Sequence, residues 1–195
     1  MLHPHTELRF VSKEIGYGIY ATQDIPKGTI TWVKDELDRV FTLKEVDSLT
    51  PPNYENLMKY TYRDRKGNFF FCWDLTRFVN HSYEPNSMLT ALGFEVAIKD
   101  IGIGEEVTND YGTLNIIEAF KCANGPSHER EFVKPDDLLR FHKKWDLDIS
   151  LVIPFMGKVD QPLNSFLSLE QSESIESIKS GSMKMPSVID NYFNP

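Results

Sequence analysis

Three short stretches hold residue types that could do chemistry. EIGYGIYA, residues 14–21, carries Gly16, Tyr17 and Gly18. Two residues without Cβ atoms let backbone N–H and C=O groups approach a ligand closely, and the same pair also suits a tight β-turn. It is not a dinucleotide fingerprint, because Ala21 stands where G-x-G-x-x-G needs its third glycine. FVNHSYEPN, residues 78–86, places Asn80 and His81 before a Pro85-Asn86 turn. Asn80 offers a donor and an acceptor, and His81 offers two ring nitrogens. Composition alone reads them equally as loop caps. GEEVTNDYG, residues 104–112, ends in Tyr111 before a glycine. Its phenol either faces a pocket or serves as an amphipathic core residue. The remaining candidates are weaker. His3, His5, His81, His128 and His142 have no metal-ligand spacing. Cys72 and Cys122 lack the basic surroundings that create a reactive thiolate, and Cys72, between Phe71 and Trp73, reads as a buried apolar residue.

These residues need elements to position them. ELRFVSKEIGYGIYATQDIPKGTITWV reads as short strands broken by turns. FTLKEVDSL has Thr42 three residues before Glu45, a capping box for a short helix that Pro51 and Pro52 stop. NYENLMKYTY is a second helix candidate, and RDRKGNFFF a hairpin around Gly67. MLTALGFEVAIKDIGIGEEVTNDYG alternates apolar and polar residues between turn glycines, as a strand does. NIIEAF is a short helix candidate. KPDDLLRFHKKWDL is a better one, with Pro135, Asp136 and Asp137 at its positive end and His142 to Lys144 at the other. After about residue 165 the chain turns rich in Ser and Glu, which implies a flexible or loosely attached tail. The closing IDNYFNP has two aromatics that could dock on the body.

The bulk numbers limit the function classes. The chain has 195 residues, 41% of them hydrophobic, enough for a core. Twenty-nine Asp and Glu against 21 Lys and Arg give a net charge of -8. That argues against nucleic acid as the main ligand and suits a basic peptide, although mild acidity also simply aids solubility. Two cysteines cannot make a disulfide framework, and no run of about 18 apolar residues could span a membrane. An intracellular protein, in cytoplasm or nucleus, is expected.

Taken in order, GYG, RFVNHSYEPN and GEEVTNDYG resemble the SET-domain family of protein lysine methyltransferases, and ATQDIPKGTI is similar to that family's first block. The resemblance covers about residues 8–132. It implies a mainly β fold of small curved sheets with short helices and a pseudo-knot, followed here by a C-terminal helical segment. The expected organisation is a SET domain over 1–132, a helical lid or extension over 133–165 and a tail over 166–195. The implied cofactor is S-adenosylmethionine, and the implied partner is a Lys-containing protein or basic peptide. Gly16, Tyr17, Gly18, Arg77, Asn80 and His81 would hold the cofactor, and Tyr111 would be the catalytic tyrosine beside the substrate-lysine channel. Such a transfer needs no metal. It needs alignment of amine, methyl and sulfur, and an apolar channel that favours the neutral amine.

The chain also departs from the family. Members often bind a zinc through the Cys of N-H-S-C and three cysteines of a following segment. Here Tyr83 replaces the first. In FKCANGPSHERE, from about residue 120, Cys122 is kept while Asn124 and Glu129 replace the others. One thiolate cannot build a tetrahedral site, so no metal is expected. Phe132 and the helix around DDLLRFHKKW are then expected to close over the cofactor, with Trp145 or Phe141 packing inward. Asn109 stands where the family usually has Phe or Tyr, two residues before the tyrosine, which leaves the number of methyl groups open. The alternative is a catalytically weak or inactive SET-like module that binds a basic peptide or partner protein.

Overall fold

Twelve short strands and five α-helices appear in the computed structural model, which describes residues 1–123 and 130–194. Along the chain they are β1 (Thr6–Ser12), β2 (Gly16–Ala21), β3 (Ile30–Val33), β4 (Arg39–Phe41), α1 (Leu43–Asp47), α2 (Pro51–Tyr60), β5 (Thr61–Arg63) and β6 (Phe69–Phe71). There follow β7 (Asn80–His81), β8 (Ser87–Leu89), β9 (Phe94–Ala97), β10 (Glu106–Asn109), β11 (Phe120–Lys121), β12 (Phe132–Val133), α3 (Asp137–Ser150), α4 (Ile153–Met156) and α5 (Leu169–Lys179). The strands form four small sheets, ordered β1-β2-β10-β7, β3-β9-β8, β4-β6-β5 and β11-β12.

The local signals explain much of this. Thr42 caps α1 with both halves of the capping box in place. Gly67, at φ +79°, turns the β5–β6 hairpin. Pro51 and Pro52 do not merely stop α1. They open α2, at a position where a missing N–H costs nothing.

Three expectations meet a different outcome. NIIEAF is not a helix. Asn115 takes φ +49°, a backbone that no helix interior adopts, and its amide instead donates to the carbonyls of Arg63 and Asn191. The helix α3 runs on to Ser150, so His142 to Lys144 lie in its middle rather than at its negative end. The Ser/Glu-rich segment, expected to be a loose tail, packs instead. Ser168 caps α5 with a full capping box, and Ile175, Ile178 and Val188 are buried. A few well-spaced apolar residues suffice to anchor a polar segment, which average composition hides.

The core is built around the sheets. Ile19, Ala21, Val79 and Val107 fill one side of the β1-β2-β10-β7 sheet together with Ile25, Ala97 and Ile101. The C-terminal half supplies other layers. Val152, Met156, Leu163 and Ile175 pack on Ile30, Val33, Phe94 and Val96, while Leu138, Trp145, Ile149 and Val188 enclose Met88. The segment after residue 132 is therefore part of the core.

Candidate active site

The three sequence stretches become neighbouring strands of one sheet. β10 lies between β2 and β7, antiparallel to the first and parallel to the second. The register sets Val107 beside Ile19, Thr108 beside Asn80 and Asn109 beside His81. Side chains reinforce the pairing. Asn80 Nδ2 donates to the carbonyl of Tyr17 (3.0 Å) and to Glu106 Oε1 (2.7 Å), so one amide ties all three strands. Asn86, after the Pro85 turn, acts as an extra rung. Its Nδ2 donates to the Glu106 carbonyl (2.8 Å), and its Oδ1 accepts from Thr108 N–H (2.9 Å).

The glycines have separate roles. A Cβ at Gly18 would collide with Glu106 Oε1 and sit 2.9 Å from Asn80 Nδ2, so the bridge needs glycine there. Gly16 has φ +89° and open space where a Cβ would be, which leaves its backbone approachable. Tyr17 is half-exposed, with its ring edge-on to Phe10 and Phe78.

His81 and Tyr111 are coupled. The Tyr111 N–H donates to His81 Nδ1 (3.1 Å), and the Tyr111 hydroxyl donates to the Val79 carbonyl (2.6 Å). With Nδ1 accepting, the neutral ring carries its hydrogen on Nε2, and that buried atom has no partner. Burial, helped by Arg130, lowers the His81 pKa to about 4, so the ring is neutral at pH 7. Burial, with Glu95 and Glu106, pushes the Tyr111 phenol upwards. Tyr111 therefore keeps its proton and cannot serve as a base.

Tyr111 also lines a cavity of about 100 Å³. Its walls include Tyr60, Tyr62, Val79 and Leu114, and its lining extends from exposed Lys59 to buried Glu95 and Asn109. Arg77 lies on this wall, with Nη1 donating to the Trp73 carbonyl (2.7 Å) and the guanidinium near the Phe71 and Phe78 rings. Phe132 is exposed, on the β11–β12 ribbon, 6.0 Å from Lys121 Nζ. The other aromatic of that ribbon, Phe120, approaches the site, with its ring 5.8 Å from His81 and 6.1 Å from Tyr111. No motif pointed to Phe120. Its only signal is an aromatic two residues before Cys122.

Tyr83 belongs to a second arrangement beside the first. The Arg130 guanidinium lies 4.7 Å from the Tyr83 ring, 4.9 Å from Phe141 and 5.7 Å from Trp145. It pairs with Asp110 Oδ2 and, at 3.0 Å, with Asp137 Oδ2. Asp110 also accepts from Gly112 N–H, and Asp137 from Lys134 N–H. Gly112 allows this close fit, since a Cβ would come within 2.9 Å of both Arg130 and Trp145. The Cys122 thiol is buried and free. An aromatic-walled arginine thus joins the loop after β10 to α3, at the place where the family resemblance would put a metal. Among the described residues no three His, Cys, Asp or Glu side chains group to hold a metal ion. Asn124, His128 and Glu129 lie outside the described residues.

A family model for the SET domain matches residues 16–112, from the first glycine of β2 to the glycine after Tyr111. The chain belongs to the SET-domain family. It is similar to the histone-lysine N-methyltransferase ASHH2 of Arabidopsis thaliana, at 28% identity over 154 residues. That match takes in 67% of this chain and 8% of the relative, so the chain spans less than a tenth of that protein's length. Among the described residues no helix is long and apolar enough to cross a membrane.

Proposed function

We propose that the protein is an S-adenosylmethionine-dependent methyltransferase acting on the side-chain amine of lysine in a protein or basic peptide, in an intracellular compartment. The observation that carries this reading is the convergence of β2, β7 and β10 beside a small aromatic cavity with Tyr111 on its wall. The residues present fit the cofactor. The unpartnered Nε2 of His81 supplies a buried donor, and the Gly16 backbone is open to close approach. Gly16, Tyr17, Gly18, Asn80 and His81 would hold it. Arg77 would sit between it and the cavity, and Phe120, Phe132 and α3 would cover it.

When bound, the cofactor supplies a methyl group on a sulfonium centre. The chain's own residues do the rest. Asn80 locks the strand that carries Tyr17, so the cofactor cradle and the cavity keep one geometry. Tyr60, Tyr62 and Val79 exclude water and disfavour a charged amine. The Tyr111 hydroxyl, held by the Val79 carbonyl, fixes the width of the cavity. A net charge of -8 favours basic substrates.

Calorimetric titration with S-adenosylmethionine, followed by mass spectrometry of basic proteins incubated with cofactor, tests the reading. A mass increase of one methyl group or more is expected. Tyr111→Phe loses one hydrogen bond, worth about 1 kcal/mol of stability, and is expected to lower transfer at least tenfold with cofactor binding kept. Cofactor binding without any transfer would favour the alternative, a SET-like module that binds a basic partner.

A further inference from the structure

Glu95 is out of place by ordinary rules. It lies on β9, the middle strand of the β3-β9-β8 sheet, and all four residues of that strand are buried. A buried carboxylate is normally paired with a cation. Among the described residues none pairs with Glu95, although Lys59 and Arg77 line the same cavity. Its partners are neutral. Oε1 accepts from Asn109 Nδ2 (2.5 Å), and Oε2 accepts from the Ser87 hydroxyl (3.1 Å), which is itself bonded to the Thr31 hydroxyl (2.6 Å).

Asn109 carries the second observation. It is 2% exposed and lines the cavity, and its Oδ1 has no hydrogen-bond partner. A buried, unsatisfied acceptor carries a penalty of about 1–3 kcal/mol. A cavity of about 100 Å³ with aromatic and aliphatic walls suits a four-carbon chain. Among its buried lining residues it offers an acceptor without a donor and a carboxyl without a cation. An alkylammonium group supplies what both lack.

We propose that Glu95 and Asn109 form the seat of the substrate's amino nitrogen, with the Glu95 carboxylate accepting the proton that this nitrogen must lose. This rests on reading the cavity as the lysine channel. In the step, an N–H bond of R–NH₃⁺ breaks and its electron pair stays on nitrogen. An O–H bond forms on Glu95, leaving R–NH₂ and a neutral carboxylic acid. Two opposite charges disappear from a site with little water, which favours the transfer. The acid then loses its proton to solvent when the methylated product leaves. Asn109 is a positioning residue, since its Nδ2 holds the carboxyl and its Oδ1 accepts from the nitrogen.

The titration of Glu95 suits this role. Burial raises its pKa to about 7, opposed by the bonds from Ser87 and Asn109. Of the groups facing it, Tyr62 on β5, Cys72 after β6 and Tyr111 after β10 are all pushed up by burial. Lys59, Tyr60 and Arg77 complete the ionisable lining.

The test uses the full chain, labelled with carbon-13 at glutamate side chains, and n-butylamine as a lysine side chain without its backbone. The Glu95 carboxyl resonance is expected to titrate near pH 7 and to shift when n-butylamine is added. Glu95→Gln, which keeps partners for Asn109 and Ser87, is expected to bind n-butylamine at least tenfold more weakly at pH 8. It should also lose the rise of kcat/KM through pH 7. A Glu95 resonance that does not respond to the amine, or unchanged amine binding in the variant, overturns the proposal even if methyl transfer is observed. If the variant does not fold, the wild-type resonance decides alone. Amine binding through Glu95 without methyl transfer to any protein would leave this site standing and sink the methyltransferase reading instead.

Discussion

Asp110 and Glu95 are both carboxylates sealed from water, and both lie within reach of Tyr111. Asp110 pairs with Arg130, accepts from Gly112 N–H and has Asp137 beside it on the same guanidinium. Glu95 has only an amide and a hydroxyl. Burial pushes both carboxyls up, but at Asp110 the bonds and charge of Arg130 pull back, while at Glu95 no cation does. The difference separates two uses of a buried acid. One is tied to a guanidinium in a structural cluster. The other, with a pKa raised by burial to about 7, lines a cavity and can gain and lose a proton near neutral pH.

Breaking the Asp110 side should have the largest effect. Arg130→Met leaves two buried carboxylates without their guanidinium and removes a group held by three aromatic rings. A loss of about 3–5 kcal/mol is expected, read by urea unfolding at pH 7. A loss below 1 kcal/mol would show that the cluster does not hold the loop to α3.

The Glu95 side should respond to pH. Its folded pKa, about 7, lies above its ordinary 4.5. Between these values the folded state holds a proton that the unfolded state has lost, so stability falls as pH rises through the window. The full effect is about 3 kcal/mol. Glu95→Gln should remove that slope and be the more stable protein at pH 8, with melting curves at pH 5 and pH 8 as the check. His81 has the opposite sign. Its folded value, about 4, lies below 6.5, so its contribution is lost as pH falls through that window. Comparing wild type with the Gln variant cancels the histidine.

Smaller changes refine the contrast. Tyr83→Leu removes one aromatic wall from Arg130 and should cost about 1 kcal/mol in the same urea assay. Ser87→Ala, the mildest, removes one of the two bonds that hold the Glu95 carboxyl down. It should move the Glu95 resonance midpoint upwards and cost about 1 kcal/mol or less.

Strands β2, β7 and β10 were legible in the sequence because GYG, RFVNHSYEPN and GEEVTNDYG follow one another in a recognisable order, not because their residue types exclude loops. The two acid sites were not. FEVA reads only as part of an alternating strand, yet β9 is flanked by β3 and β8 and covered on both faces. Arg130 lies near the end of FKCANGPSHERE, where the sequence draws notice only to its missing cysteines. Its partners, Tyr83, Asp110 and Trp145, come from three distant places that only the fold unites. Composition likewise hid the docking of the C-terminal segment, which depends on Ile175, Ile178 and Val188 rather than on the average of their neighbours.

That docking sets a timetable for the molecule's birth. Asn191 Nδ2 donates to the Thr90 carbonyl across a separation of 101 residues, and Val188 covers Met88. At roughly 5–20 residues per second, a ribosome needs about 5–20 s to make the intervening chain. Leu138, Trp145 and Ile149 of α3 are made about halfway through that interval, but the apolar cluster around Met88 closes only when Val188 follows.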